Sequence, residues 1–196
     1  MNRLVFVPIA AAASVAYGQA VSVDFLGTVF RNEHTSGPFA GFQVGDPAEF
    51  HTAVLKGASP TSTGPDWAMY MPITAAVQYI AGSPFFSSPA FASALTIYVQ
   101  DTAAGEDVYE IYGKIGGISQ SFDFHLSLID VDGDALASTA LPLSGDLNPA
   151  LFETAVGTIY TDAGEELNFT IEQVVPAAPT LGPIFAGLIA LARRRR

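Results

Sequence analysis

The sequence contains no cysteine, which excludes disulfide bonds, thiolate zinc ligands and thiol nucleophiles. Charge is also scarce, because Asp, Glu, Lys and Arg make up only 14% of the 196 residues. Eight Lys and Arg stand against 19 Asp and Glu, a formal net charge of −11. So acidic a chain would repel phosphates, which argues against a nucleic-acid partner. Hydrophobic residues are plentiful, at 49%, and are enough for the core of one domain.

The N-terminus has the layout of a secretory signal peptide. Asn2 and Arg3 precede an apolar run from Leu4 to Ala16, and the sequence turns polar at Gln19. A positive start, an apolar stretch and small residues at the exit are typical of such signals. We therefore predict a signal peptide over residues 1–20; a buried N-terminal helix or strand is the alternative.

The C-terminus is organised as a proline motif, an apolar run and a basic end. Pro176 and Pro179 precede the apolar run Leu181–Ala192, and Arg193–Arg196 end the chain. As a helix the run would be about 18 Å long, whereas a hydrocarbon core is about 30 Å thick. The arginines would remain on the cytoplasmic side of a membrane. The pattern predicts transient insertion without a permanent anchor.

This tail, residues 174–196, resembles the PEP-CTERM sorting domain of exported bacterial proteins. The family motif is Pro-Glu-Pro, and here Pro176 and Pro179 enclose two alanines instead. The resemblance implies processing near the prolines by a membrane-embedded exosortase and delivery to the cell envelope or extracellular matrix. The residues it assigns to sorting and processing are Val175, Pro176, Pro179, Arg193, Arg194, Arg195 and Arg196.

The segment between the two ends, residues 21–173, has the pattern of an all-β domain. Apolar and polar residues alternate in Val21–Phe25, Glu49–Val54, Leu95–Gln100, Phe122–Leu128 and Leu167–Ile171. Period two is the signature of strands with one buried face. Turn-forming clusters such as Gly45-Asp46-Pro47 separate them. We predict a single β-sandwich or jelly-roll-like domain.

One carboxylate cluster is a calcium candidate. Asp130, Asp132 and Asp134 alternate around Gly133, and calcium binds six to eight oxygens. The order departs from an EF-hand, because glycine occupies the fourth position and Leu141 the twelfth. The flanking strands make a hairpin turn at Asp132-Gly133 the first interpretation, and a calcium site is the weaker alternative. The sequence predicts no other cofactor.

Enzymatic motifs are weak. The three histidines, His34, His51 and His125, are far apart in sequence, and a zinc site would need all three to converge. No serine lies in a Gly-x-Ser-x-Gly elbow. The pairs Glu106-Asp107 and Glu165-Glu166 are adjacent residues, which do not flank one glycosidic bond. We expect a protein that is not an enzyme.

Aromatic residues allow a second interpretation. Trp67, the sole tryptophan, and Tyr70 could stack on sugar rings if they are exposed on a sandwich face. A single large ring is more often buried in the core, and the sequence favours that position for Trp67. The leading hypothesis is a secreted structural or adhesive protein of the bacterial envelope or matrix, and the alternative is an extracellular carbohydrate-binding module that contacts polysaccharide.

Overall fold

The computed structural model describes residues 20–88, 95–103, 105–117 and 120–176, which form an antiparallel all-β domain. Twelve strands follow one another along the chain: β1 (Ala20–Asn32), β2 (Pro47–Leu55), β3 (Ser62–Thr63), β4 (Trp67–Tyr70), β5 (Ile73–Ile80), β6 (Ser83–Ser88), β7 (Leu95–Gln100), β8 (Asp107–Gly117), β9 (Gln120–Asp130), β10 (Thr154–Thr161), β11 (Glu166–Thr170) and β12 (Gln173–Pro176). Within these described ranges there is no α-helix, and therefore none that could cross a membrane. The predicted all-β class is confirmed.

The strands form one continuous path of hydrogen-bonded neighbours. Its order is β3-β4-β7-β8-β9-β10-β11-β1-β2-β5-β6, and β12 also pairs with β1. The long strand β1 joins two parts of this path, because its first residues pair with β2 and β12 and its last residues pair with β11. The register shifts between Val29 and Arg31, where β1 passes from one part to the other. The result is a single curled sheet.

Alternation of apolar and polar residues decides which side of each strand is buried. Leu95, Ile97 and Val99 of β7 are completely buried, and the residues between them are partly exposed. On β9, Phe124 and Leu126 are buried in the same way. The period-two predictions for β2, β7, β9 and β11 are confirmed in position and in buried side. In β1, Val23 and Phe25 are buried as predicted, but Asp24 between them is buried too.

The core lies inside the curl, where large rings from its two halves meet. Phe50 of β2 packs on Phe124 of β9, with ring centroids 4.3 Å apart. Phe25 of β1 stacks on Tyr109 of β8 at 6.2 Å. All four rings are at most 2% exposed. The sheet therefore curls until its two halves share one aromatic core.

The connection after β9 differs from the prediction. We expected a hairpin turn at Asp132-Gly133, but the chain runs through residues 131–153 before β10 pairs with β9. This long loop contributes Leu136, Leu147 and Phe152 to the core. These apolar side chains are too widely spaced to show a period, so the sequence pattern did not reveal their burial.

The sequence of Pro84–Phe91 alone is compatible with a loop or with a short helical turn. In the structure, residues 84–88 belong to β6, and residues 89–91 lie outside the described residues. Strand β6 pairs with β5 through a tight turn in which Ala81 and Gly82 both have positive φ, 52° and 73°. This left-handed pair matches the twist of a two-residue hairpin. Alanine is unusual in that conformation, which explains why the hairpin was not predicted.

The shared aromatic core predicts a large effect for one substitution. Phe50→Ala should lower the free energy of unfolding by about 3–5 kcal/mol, because it removes a fully buried ring and leaves a cavity. Phe30→Ala, at an aromatic residue of β1 that is 46% exposed, should change it by less than about 0.5 kcal/mol. Urea unfolding followed by circular dichroism measures both. Equal effects of the two variants would contradict the assignment of the core.

Candidate functional site

The outward side of β4 and β7 presents aromatic rings. On β4, Ala68 and Tyr70 are buried, whereas Trp67 and Met69 are half-buried on the opposite side. On β7, Tyr98 lies on the outward side between buried neighbours. The inward positions of both strands belong to the common core. The rings of Trp67 and Tyr98 are therefore available on the outside of the curl.

Four rings follow a diagonal across four neighbouring strands. Trp67 and Tyr98 are diagonal neighbours across β4 and β7, with ring centroids 6.1 Å apart. Tyr112 of β8 is the next diagonal neighbour of Tyr98. His125 of β9 is directly opposite Tyr112, at 6.5 Å. We call these four residues the aromatic stripe.

A carboxylate lies within the stripe. Glu110 of β8 is paired with Tyr98 in the register. Its Oε1 atom is 3.1 Å from His125 Nε2 and accepts a hydrogen bond from the Ser127 hydroxyl at 3.4 Å. The side chain of Glu110 is 24% exposed. The stripe thus combines flat rings with a hydrogen-bond acceptor that its neighbours hold in place.

The tyrosines of the stripe remain protonated donors well above neutral pH. Burial raises the pKa of Tyr98, and the charge of Glu110 raises it further. Burial and Glu110 raise the pKa of Tyr112 in the same way. The Tyr98 hydroxyl donates to Gln100 Oε1 at 2.7 Å, which fixes the orientation of the ring edge.

The structure separates the two aromatic residues predicted to bind sugar. Trp67, for which the sequence favoured a core position, is on the outer side, and Tyr70 is in the core, 4% exposed. The Tyr70 hydroxyl donates to the carbonyl of Thr139 at 2.8 Å. Residues three apart on a strand face opposite ways, so this separation, and the outward position of Tyr98, could have been read from the sequence.

The predicted calcium ligands do not converge. Asp130 is 1% exposed and its carboxylate accepts the backbone N–H groups of Asp132, Asp134 and Ala135 at 2.7–3.2 Å. Asp132 and Asp134 are exposed. Burial alone would raise the pKa of Asp130, but the three N–H donors outweigh it and the pKa lies below its ordinary value. Asp130 acts here as a cap that shapes the loop.

Gly133 is required in this loop for two reasons. Its φ of +71° is a left-handed conformation, and a Cβ at this position would overlap the carbonyl oxygen of Gly105. The loop therefore lies directly against the residues that enter β8. Over the described ranges, no three His, Asp or Glu side chains form a group suited to a metal ion.

The three histidines lie in three separate environments. His34 Nε2 accepts the backbone N–H of Glu166 at 3.1 Å, in a shallow cleft that Arg31 and Glu33 also line. His51 contacts Asp24 and Glu49. His125 contacts Glu110, and the nearby Ser127 donates to that glutamate instead of to the histidine. This hydrogen-bond arrangement differs from that of a hydrolase triad, in which the histidine accepts the proton of the serine hydroxyl.

His51 bridges two carboxylates on the outer side of β1 and β2. Its Nδ1 atom is 3.0 Å from Asp24 Oδ2, and its Nε2 atom is 3.1 Å from Glu49 Oε2. The hydrogen bond to Asp24 raises the pKa of His51; burial opposes this, and Glu49 adds to the increase. The doubly protonated ring can donate to both carboxylates at once and links the two strands.

The predicted processing residues lie at or beyond the end of the described chain. Val175 and Pro176 belong to β12 and pair with Asp24 and Val23 of β1. Pro179 and Arg193–Arg196 lie outside the described residues, as does the predicted signal peptide up to residue 19. The last described residues, 173–176, are therefore part of the sheet; residues 20–176 are called the body below.

Comparisons with protein-family models, with curated proteins and with solved structures found no match to this chain. The fold and the site together define an acidic, antiparallel all-β protein with an aromatic stripe on its outer surface.

His51 predicts a pH-dependent stability. Its pKa is raised above the ordinary value of about 6.5 in the folded state. The stabilisation is therefore complete below about pH 6.5 and is lost as the pH rises through the folded-state pKa. The wild type should therefore lose stability relative to His51→Gln as the pH rises through the pKa of His51, and unfolding of both variants at several pH values measures this. An NMR titration of the imidazole with a midpoint at or below 6.5 would contradict the bridge.

Asp130 predicts a structural effect independent of metal. Asp130→Asn should destabilise the domain more than Asp132→Asn, because an amide accepts the three backbone N–H groups less well than a carboxylate. The difference should be the same with calcium and with a chelator in thermal unfolding. If the difference between the two variants disappears in the presence of the chelator, then Asp130 stabilises the domain by binding a cation and not by accepting the backbone N–H groups.

Proposed function

We propose that this protein is a secreted structural or adhesive component of the bacterial envelope or extracellular matrix, with no enzymatic activity. An N-terminal signal peptide directs export. A variant PEP-CTERM tail passes transiently through the membrane and is processed by an exosortase-like enzyme. The remaining body is a sandwich-like domain, in which the two halves of the curled sheet pack face to face.

The distribution of charge supports this division. All 19 acidic residues lie between Asp24 and Glu172, and the only Lys and Arg residues in that range are Arg31, Lys56 and Lys114. The remaining basic residues are Arg3 and the four terminal arginines. Acidity keeps an exported body soluble, whereas apolar segments with flanking bases suit passage through a membrane.

The observation that carries the proposal is the pairing of the two ends of the body. Strand β12 runs antiparallel to the start of β1, and Pro176 is opposite Val23. Both predicted targeting segments therefore adjoin the body at neighbouring points of one sheet. Removal of residues 1–19 and 177–196 would leave every described strand and the whole described core in place.

This pairing supports a later start for the proposed sorting tail. The resemblance places its first residue at Val174, but Val174 packs against the core and residues 174–176 pair with β1. A cut before Val174 would remove these contacts. We propose that the cut falls after Pro176, which keeps β12 with the mature protein.

Two deletions test the proposal. Deletion of residues 177–196 should release the protein from the envelope fraction into the medium and leave its thermal stability unchanged. Deletion of residues 174–196 should also release it, but should lower its melting temperature because β12 and the packing of Val174 are lost. Cell fractionation and thermal unfolding measure the two effects.

Mass spectrometry of the protein from its native cells provides the decisive measurement. We expect a mature N-terminus close to Val21 and a C-terminus between Pro176 and the apolar run. An intact chain that retains Met1 and Arg196 in the cytosol would overturn the proposal, and so would unchanged envelope retention without residues 177–196.

A further inference from the structure

We propose that the aromatic stripe is a binding platform for a neutral polysaccharide chain. This inference rests on the proposed adhesive role and names the ligand class. Trp67, Tyr98 and Tyr112 supply the stacking surface, and Glu110 supplies the hydrogen-bond acceptor. The platform replaces the pair Trp67 and Tyr70, whose side chains lie on opposite sides of β4.

The shape of the stripe calls for an extended ligand with a repeating apolar face. The rings occupy four adjacent strands, which span about 14 Å at the usual strand spacing. Their neighbours on this side are Met69, which is opposite Tyr98, and polar side chains, among them Thr96, Gln100 and Ser127, which are at most partly exposed. Linked pyranose rings match this pattern, because each has an apolar C–H face and a rim of hydroxyls.

The negative charge of the surface favours neutral over acidic polysaccharides. Glu110 lies within the stripe, and the charge of Glu106 also acts on Tyr98. His125, the one basic group of the stripe, is already held by Glu110. An acidic polysaccharide would therefore be repelled. Hydroxyl groups of a neutral chain can donate to the Glu110 carboxylate, since both hydrogen bonds that the described residues make to it go to Oε1.

The tryptophan is held in place before any ligand binds. The N–H of Gly64 donates to the Trp67 carbonyl at 2.8 Å, and a Cβ on Gly64 would overlap the indole ring. The backbone of Gly64 and the ring of Tyr98 thus confine the indole. A rigid ring loses little entropy on binding, which favours a preorganised platform.

The experiment uses the full chain and two neutral probes, insoluble cellulose for retention and soluble xyloglucan for titration. Because Trp67 is the sole tryptophan, its fluorescence reports binding at the stripe directly. Trp67→Ala and Tyr98→Ala should each weaken retention about tenfold or more, as expected for a central aromatic contact. Phe30→Ala, at an exposed aromatic residue of β1 that β10 and β11 separate from the stripe in the sheet path, should bind like the wild type.

A glycine pair tests the platform without removing a ring. Gly64→Ala should displace the indole, weaken binding and shift the tryptophan emission. Gly145→Ala, where a Cβ would meet no atom within 4 Å, should change neither. If Trp67→Ala fails to fold, Gly64→Ala and Tyr98→Ala still decide the question.

Several results would overturn the inference. These are no retention on either neutral probe, equal losses in Trp67→Ala and Phe30→Ala, or binding to alginate that exceeds binding to the neutral probes. A change of oligomeric state in Trp67→Ala without any glucan retention would identify the stripe as a contact between copies of the chain. An exported protein that binds no glucan would leave the proposed function standing, whereas a cytosolic chain that binds glucan would overturn the export proposal alone.

Discussion

The packing of large rings between the two halves of one sheet is the constraint on which the rest of the molecule depends. Phe50 meets Phe124 at 4.3 Å, and Phe25 stacks on Tyr109. A sheet that curls onto itself in this way uses the inward position of every core strand. The side chains of a functional site can then lie only at the outward positions of the strands and in the loops. The aromatic stripe is therefore informative, because its rings are not needed for the core.

Acidity is the second constraint, because the body has few basic side chains to neutralise its carboxylates. Several buried and half-buried acids have local partners of different kinds. Asp130 accepts three backbone N–H groups, and Asp24 and Glu49 share His51. Arg31 pairs with Glu33 and Glu166. Asp107 is fully buried and its Oδ2 atom accepts the backbone N–H of Leu136 at 2.8 Å. The other carboxylates are at least partly exposed, and their mutual repulsion favours solubility and disfavours anionic partners.

The all-β class and five of the strands could be predicted because alternating burial leaves a period of two in the sequence. Strand β10 was not predicted, since Val156, Gly157 and Thr158 interrupt the alternation. A Cβ on Gly157 would overlap the ring of Phe169, so glycine at this position makes room for that ring. The long loop after Asp130 was also missed, because its buried residues follow no period. The stripe could not be predicted, because it depends on the register between neighbouring strands, and the pattern of a single strand does not contain that register.

The position of the stripe relative to β1 and β12 makes the proposed export compatible with the proposed adhesion. The paired ends lie on β1 and β12, whereas the stripe runs from β4 to β9, on the other side of β10 and β11 in the sheet path. A body attached through the segment after Pro176 would thus be held at one part of the sheet and present rings at another. Neither role competes with the other for residues. In the proposed function, the acidic surface that favours solubility would also direct the stripe towards uncharged polymers.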